Sequence, residues 1–144
     1  MAKAKSAIPE GLHTVTPQLV FDDAAEAIDW YTKALGAEER SRAVGTDGKI
    51  MHAELKIGDS PVMLADEFPE MGARSPLTIG GTGVGLMIYV EDVDAQFKQA
   101  VGAGATVKMD VKDQFDGERY GTLVDPDGHQ WTPATQQEAA SPEG

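Results

Sequence analysis

The residues best suited to chemistry in this chain lie together near its middle, His52 and Glu54 in the run KIMHAELKI. Two positions apart on an extended strand, they point the same way. A carboxylate beside an imidazole favours its charged form and holds its orientation, the arrangement of a general base near neutral pH. His52 and Glu54 are therefore the candidate catalytic residues. The plainer reading is a polar strand face on which His52 hydrogen-bonds across strands. With a third group such as Gln18 from an earlier strand, the pair could also approach a metal ion in an unusual site. The His-Ala-Glu triplet superficially matches the zinc deaminase signal, but that site needs a PCxxC partner, and the chain has no cysteine.

These residues need elements to hold them. Asp22 and Asp23 are good helix caps, and Ala24, Ala27, Ile28, Tyr31, Ala34 and Leu35 recur behind them at helical spacing until Gly36. PQLVF before this helix reads as a strand, as does GAEERSRAV after it. Asp47 and Gly48 then form a hairpin turn into KIMHAELKI, where Ala53, Leu55 and Ile57 alternate with His52, Glu54 and Lys56. Val62 to Ala65 is a further short strand.

The same order recurs downstream. GVGLMIYV is a strand, and Asp92 caps a helix that buries Val93, Phe97, Ala100 and Val101 before the Gly102 to Gly104 region. Strands follow over Thr106 to Asp110, Arg119 to Val124 and Gln130 to Ala134, the last two joined by the turn residues of DPDGH. VFDDAAEAIDWY aligns with YVEDVDAQFKQA, so the chain reads as one α+β domain over 12–135 built from two βαβββ modules, about 12–66 and 83–135. Residues 1–11 and 136–144 read as flexible tails. Glu67 to Thr82, rich in Gly and Pro, reads as a long connection. The glycines of IGGTGVG are a mobile link, since a nucleotide fingerprint needs a helix after them and a strand follows instead.

Composition narrows the partners. The chain has 144 residues, with 24 Asp and Glu against 12 Lys and Arg, a net charge of −12 that repels phosphate backbones and anionic lipid. Nucleic acid and membrane are not expected partners. The start carries Lys3 and Lys5 with no apolar run behind them, unlike a secretory signal, and a cytoplasmic location is expected.

FDDAAEAIDWYTKALGAEE, DGKIMHAELKIGDSPVMLADEFPE, YVEDVDAQFKQAVGAGATV and DQFDGERYGTLVDPDGHQW together resemble the PhnB-like branch of the glyoxalase/bleomycin resistance protein/dioxygenase (vicinal-oxygen-chelate) superfamily. The resemblance implies paired modules with curved mixed sheets, a ligand cavity in their concavity, and a homodimer. It implies no single activity, since lyases, dioxygenases, epimerases and drug-sequestering proteins share the scaffold. Metal-dependent relatives carry a His or Glu ligand on the first and fourth strand of each module. The matching positions here are Thr16, Met63, Gly85 and Thr132, which offer no good ligand for a divalent ion, so neither a metal nor another cofactor is expected.

By the same resemblance, the sheet face away from the helix lines the concavity. Gln18, Met63, Met87 and Tyr89 are then expected substrate-binding residues, the last three forming an adaptable apolar wall; the duller alternative is that they fill space. Phe115 and Arg119, in a segment that recurs in this branch, complete the expected ligand contacts. Arg119 could meet a ligand carboxylate or phosphate, or could pair with Asp113, Asp116 or Glu118 instead. His129 and Trp131 serve the turn and the core. The expected function is metal-free binding of a small molecule. The alternatives are a lyase or dioxygenase with unusual metal ligands, a metal-free acid–base enzyme built on His52, and an antibiotic-sequestering protein.

Overall fold

Two helices are each started by the same pair of side-chain bonds. In the computed structural model, which describes residues 5–137, Asp23 caps helix α1 (Ala24–Leu35) by accepting from the Glu26 N–H. Asp66 accepts from the Ala24 N–H at 2.7 Å. Asp92 caps helix α3 (Val93–Gly102) through the Ala95 N–H, and Thr135 Oγ1 accepts from the Val93 N–H at 3.0 Å. The orphan N–H groups of both helix starts are thus satisfied in the same way. α1 ends on Gly36, whose φ of 66° suits a residue without Cβ and lets its N–H return to the Tyr31 carbonyl.

The first module runs β1 (Gln18–Phe21), α1, β2 (Glu38–Val44), β3 (Ile50–Ile57) and β4 (Ser60–Asp66). The second runs β5 (Gly85–Tyr89), α3, β6 (Thr106–Asp113), β7 (Glu118–Val124) and β8 (Gln130–Gln136). Each forms a four-stranded sheet, ordered β1-β4-β3-β2 and β5-β8-β7-β6. In each, the first and fourth strands pair in parallel and the other neighbours antiparallel. This is the expected α+β architecture of two βαβββ modules. The chain divides into two compact units, the first running to Arg74 and the second starting at Ser75, with Lys33–Leu35 assigned to the second.

In the first unit, Leu19, Phe21, Ala53, Leu55, Val62 and Leu64 are buried. Phe21 meets Tyr31 of α1 edge to face, with centroids 5.7 Å apart, so this is the helix-bearing face. In the second unit, Leu123 and Trp131 are buried with Val93, Phe97 and Ala100 of α3. Val101, read from spacing as a core residue, is 41% exposed, because the buried stripe of this short helix is narrower than the periodicity suggests.

The connection between the modules carries local elements of its own. Phe68 bridges to Ala73 around a 3₁₀ turn at Pro69–Met71. Ser75 caps a one-turn helix, α2 (Pro76–Ile79), that carries Pro at its start and ends on Gly80 at φ 100°. The Leu77 N–H donates to the Asp127 carbonyl, tying α2 to the turn before β8. Of the stretches expected to be tails, residues 1–4 and 138–144 lie outside the described residues; Leu12 closes a turn onto Pro9, and β8 continues to Gln136.

Gly121 is set where the sheet meets α3. A Cβ there would lie 2.7 Å from the Met109 carbonyl oxygen and 2.8 Å from Phe97 Cε2. The first atom is backbone and cannot swing away. Gly121→Ala should therefore cost about 1–3 kcal/mol of stability through overpacking, read as a lowered midpoint in urea with an unchanged slope.

Candidate functional site

Strand alternation places the first group of candidate residues on one face. Gln18 is opposite Met63 on β4, Met63 is opposite Glu54 on β3, and Glu54 is opposite Ser41 on β2. They form one row across the sheet on the face away from α1. His52 lies two residues along β3 on that face, and both His52 and Glu54 are half-buried. Successive same-face positions stand about 7 Å apart along a strand, and neither side chain makes a side-chain hydrogen bond among the described residues. Gln18, Met63, Glu54 and His52 thus share a surface, while His52 and Glu54 are neighbours rather than a bonded dyad.

A second row runs across the other sheet, within its own unit. Met87 is opposite Thr132 on β8, and Thr132 Oγ1 lies 3.2 Å from Thr122 Oγ1 on β7. In the next row Tyr89, Ala134, Tyr120 and Lys112 are successive partners from β5 to β6. Met87 and Tyr89 are 49% and 59% exposed, so they are accessible side chains and not core. Tyr89 donates its hydroxyl to Glu118 Oε1 at 3.0 Å. That bond pushes the phenol pKa up, with burial and the charges of Glu118 and Asp116 adding to it.

Arg119 and Phe115 are not brought to these rows. Arg119 alternates with Tyr120 and so lies on the helix-bearing face, in step with Gly121 and Leu123. There Asp94, in the first turn of α3, accepts from its Nε at 3.0 Å and its Nη2 at 2.9 Å, while Asp113 accepts from Nη1 at 3.2 Å. Of the three acids weighed as partners from sequence, Asp113 is engaged. The bidentate partner, Asp94, escaped notice because it is far away in the chain. The hydrogen bond from Arg119 holds the Asp94 carboxyl below the usual range, and the two acids raise the guanidinium. Phe115 stands at the tip of the β6–β7 hairpin, 99% exposed.

The positions where relatives place metal ligands can be tested by their donors. Thr16 donates its hydroxyl to the His13 carbonyl, Thr132 faces Thr122, Met63 offers a thioether, and Gly85 has no side chain. This set does not fit a divalent ion, which needs imidazole or carboxylate groups. Among the described residues no group of three or more His, Asp or Glu side chains could hold a metal. A recess of about 400 Å³ in the first unit lies between Asp22–Asp23, Asp47–Lys49 and Asp66–Glu67. Asp23, Asp47 and Asp66 are committed there to backbone N–H groups, and Lys49 donates to the Glu67 carbonyl while lying over the Phe68 ring. The recess braces the loop ends and is not on the face carrying His52 and Glu54.

The two βαβββ modules define a fold class, and sequence comparison agrees with it. The profile of the Glyoxalase/Bleomycin resistance protein/Dioxygenase superfamily matches residues 11–132, and the chain belongs to that superfamily. It is 50% identical over 121 residues to the uncharacterized protein Rv0887c of Mycobacterium tuberculosis, covering 82% of this chain and 71% of the relative. Among solved structures it is similar to TioX from Micromonospora sp. ML1, at 27% identity and a TM-score of 0.67 over 90% of this chain and 100% of that one. The PhnB protein from Bacillus cereus shares the fold at 18% identity and a TM-score of 0.65, with coverage of 85% and 99%. No helix among the described residues is long and apolar enough to cross a membrane.

The Arg119 clamp has a pH signature. The Asp94 pKa is depressed in the folded chain, so its contribution to stability is fully present above the unfolded value of about 4 and is lost as pH falls through the folded value. Arg119→Gln should melt below the parent protein at neutral pH. The gap in Tm should close as the pH is lowered beneath about 4, measured by thermal unfolding across a pH series.

Proposed function

We propose that this protein binds a small organic molecule on the sheet faces its helices leave uncovered, without the metal used by metal-dependent relatives. The observation that carries this reading is the side-chain content of those faces. Gln18, His52, Glu54 and Met63 share one, Met87 and Tyr89 the other, and polar and polarizable groups mix on both as in a ligand surface. The donor set at the family's ligand positions supports the metal-free part. His52 and Glu54 are read as polar ligand contacts, with His52 as the general base if a reaction is catalysed.

Within the superfamily we assign the chain to the PhnB-like branch, on the four sequence segments quoted above and on the fold shared with the Bacillus cereus PhnB protein. The functional unit is taken as one domain over 12–135, working as a cytoplasmic homodimer. An antibiotic-sequestering role shares the same surface and differs in having no turnover.

Binding and metal content test this together. A soluble fragment mixture followed by NMR should perturb signals of Gln18, His52, Glu54 and Met63 or of Met87 and Tyr89, with stability unaffected by chelator. Perturbations confined to the helix-bearing faces would overturn the reading, as would a stoichiometric divalent ion whose removal lowers Tm. Should a turnover assay be found, His52→Ala is expected to lower turnover far more than it weakens binding; equal losses in both would mark His52 as a binding contact only.

A further inference from the structure

The hairpin end of the second sheet brings together two aromatic side chains and two carboxylates. Tyr89 and Tyr120 stand in one row with the small Ala134 between them. Glu118, two residues before Tyr120 and on the same face, accepts the Tyr89 hydroxyl. Phe115 lies three residues before Glu118, at the tip of a turn that is tightly built beneath it. The Gln114 N–H donates to the Glu118 carbonyl at 2.7 Å, the Glu118 N–H donates to Asp116 Oδ1 at 3.1 Å, and Gly117 takes the required φ of 85°. This turn fixes Glu118 at the start of β7, while Phe115 at its tip is 99% exposed and stands apart from the row.

Charge selects the occupant. Both Glu118 and Asp116 act on the Tyr89 hydroxyl and raise its pKa. The guanidinium of Arg119 is on the opposite face and is held by Asp94 and Asp113. Lys112, exposed at the far side of Tyr120, is the cation sharing the row. An anionic ligand would meet two carboxylates here, whereas a cation would meet a counter-ion beside a row with an aromatic side chain on either side of Ala134, and aromatic rings attract positive charge.

We propose that the Tyr89–Glu118 end of this sheet binds an organic ammonium group, with Glu118 as counter-ion and the side chains of Tyr89 and Tyr120, on either side of Ala134, as its walls. The inference rests on the reading of the uncovered faces as ligand surfaces and adds the charge class of the ligand.

Choline and its uncharged isostere 3,3-dimethylbutan-1-ol, titrated into the full chain and followed by NMR, test it. Choline should bind saturably with shifts at Tyr89 and Tyr120, and at least about tenfold more tightly than the alcohol. Glu118→Gln should weaken choline about tenfold and leave the alcohol unchanged. Equal affinity for the two probes, or no choline binding at this end, would overturn the ammonium site. If other fragments still bind the uncovered faces, the broader reading survives that failure; if none does, both fall.

Discussion

The architecture depends on one constraint repeated in each module: the fourth strand lies beside the first and reaches the start of the helix between them. Asp66, at the end of β4, accepts from the first N–H of α1, and Thr135, near the end of β8, accepts from the first N–H of α3. A constant displacement along the sequence relates Gln18 to Met87, Asp23 to Asp92, Met63 to Thr132 and Asp66 to Thr135. The repeat is therefore exact where strand pairing and helix start are joined, although the residue doing the joining differs. Asp66 does more, since its second oxygen accepts from the Ile50 N–H at 2.6 Å and fixes the start of β3. This linkage seats each helix on one side of its sheet and so decides which side chains of the other side stay available.

Most of the element order was readable because its signals are local. Asp23 and Asp92 at helix starts, Gly36 at a helix end, and the alternation of Ala53, Leu55 and Ile57 each act over a few residues. The bulges were not readable. Register slips between Ala43 and Val44 and again along β6, and they follow from the twist of paired strands, which no single strand encodes. The order of the connecting segment was missed for a related reason. Ser75, Pro76 and Gly80 are helix punctuation, but the bond from the Leu77 N–H to the Asp127 carbonyl comes from far along the chain.

The candidate site was legible as a face and less so as a set of residues. Parity correctly groups Gln18 with Met63 and Glu54, because one face of each strand has to be buried. Arg119 illustrates the opposite case. Its place beside Phe115 in one motif suggested a shared role, yet alternation from the buried Leu123 already puts it on the helix side, where Asp94 waits. Sequence proximity and strand parity pointed in different directions, and parity is the physical constraint. Glu118 and Tyr120 of that segment alternate instead onto the face that carries Tyr89.

A metal-bearing relative concentrates its binding energy at one ion held by four side chains, which makes each of those side chains indispensable. Thr16, Met63, Gly85 and Thr132 cannot do this, and under the metal-free reading proposed above recognition would be distributed over many weaker contacts along the sheets. Distributed recognition places different demands on a scaffold. It needs side chains that are accessible yet held in register, which is what a sheet covered on one side provides, and it tolerates replacement of any one contact. In this chain the helix-start bonds and the close approach at Gly121 are what maintain the faces on which such side chains stand.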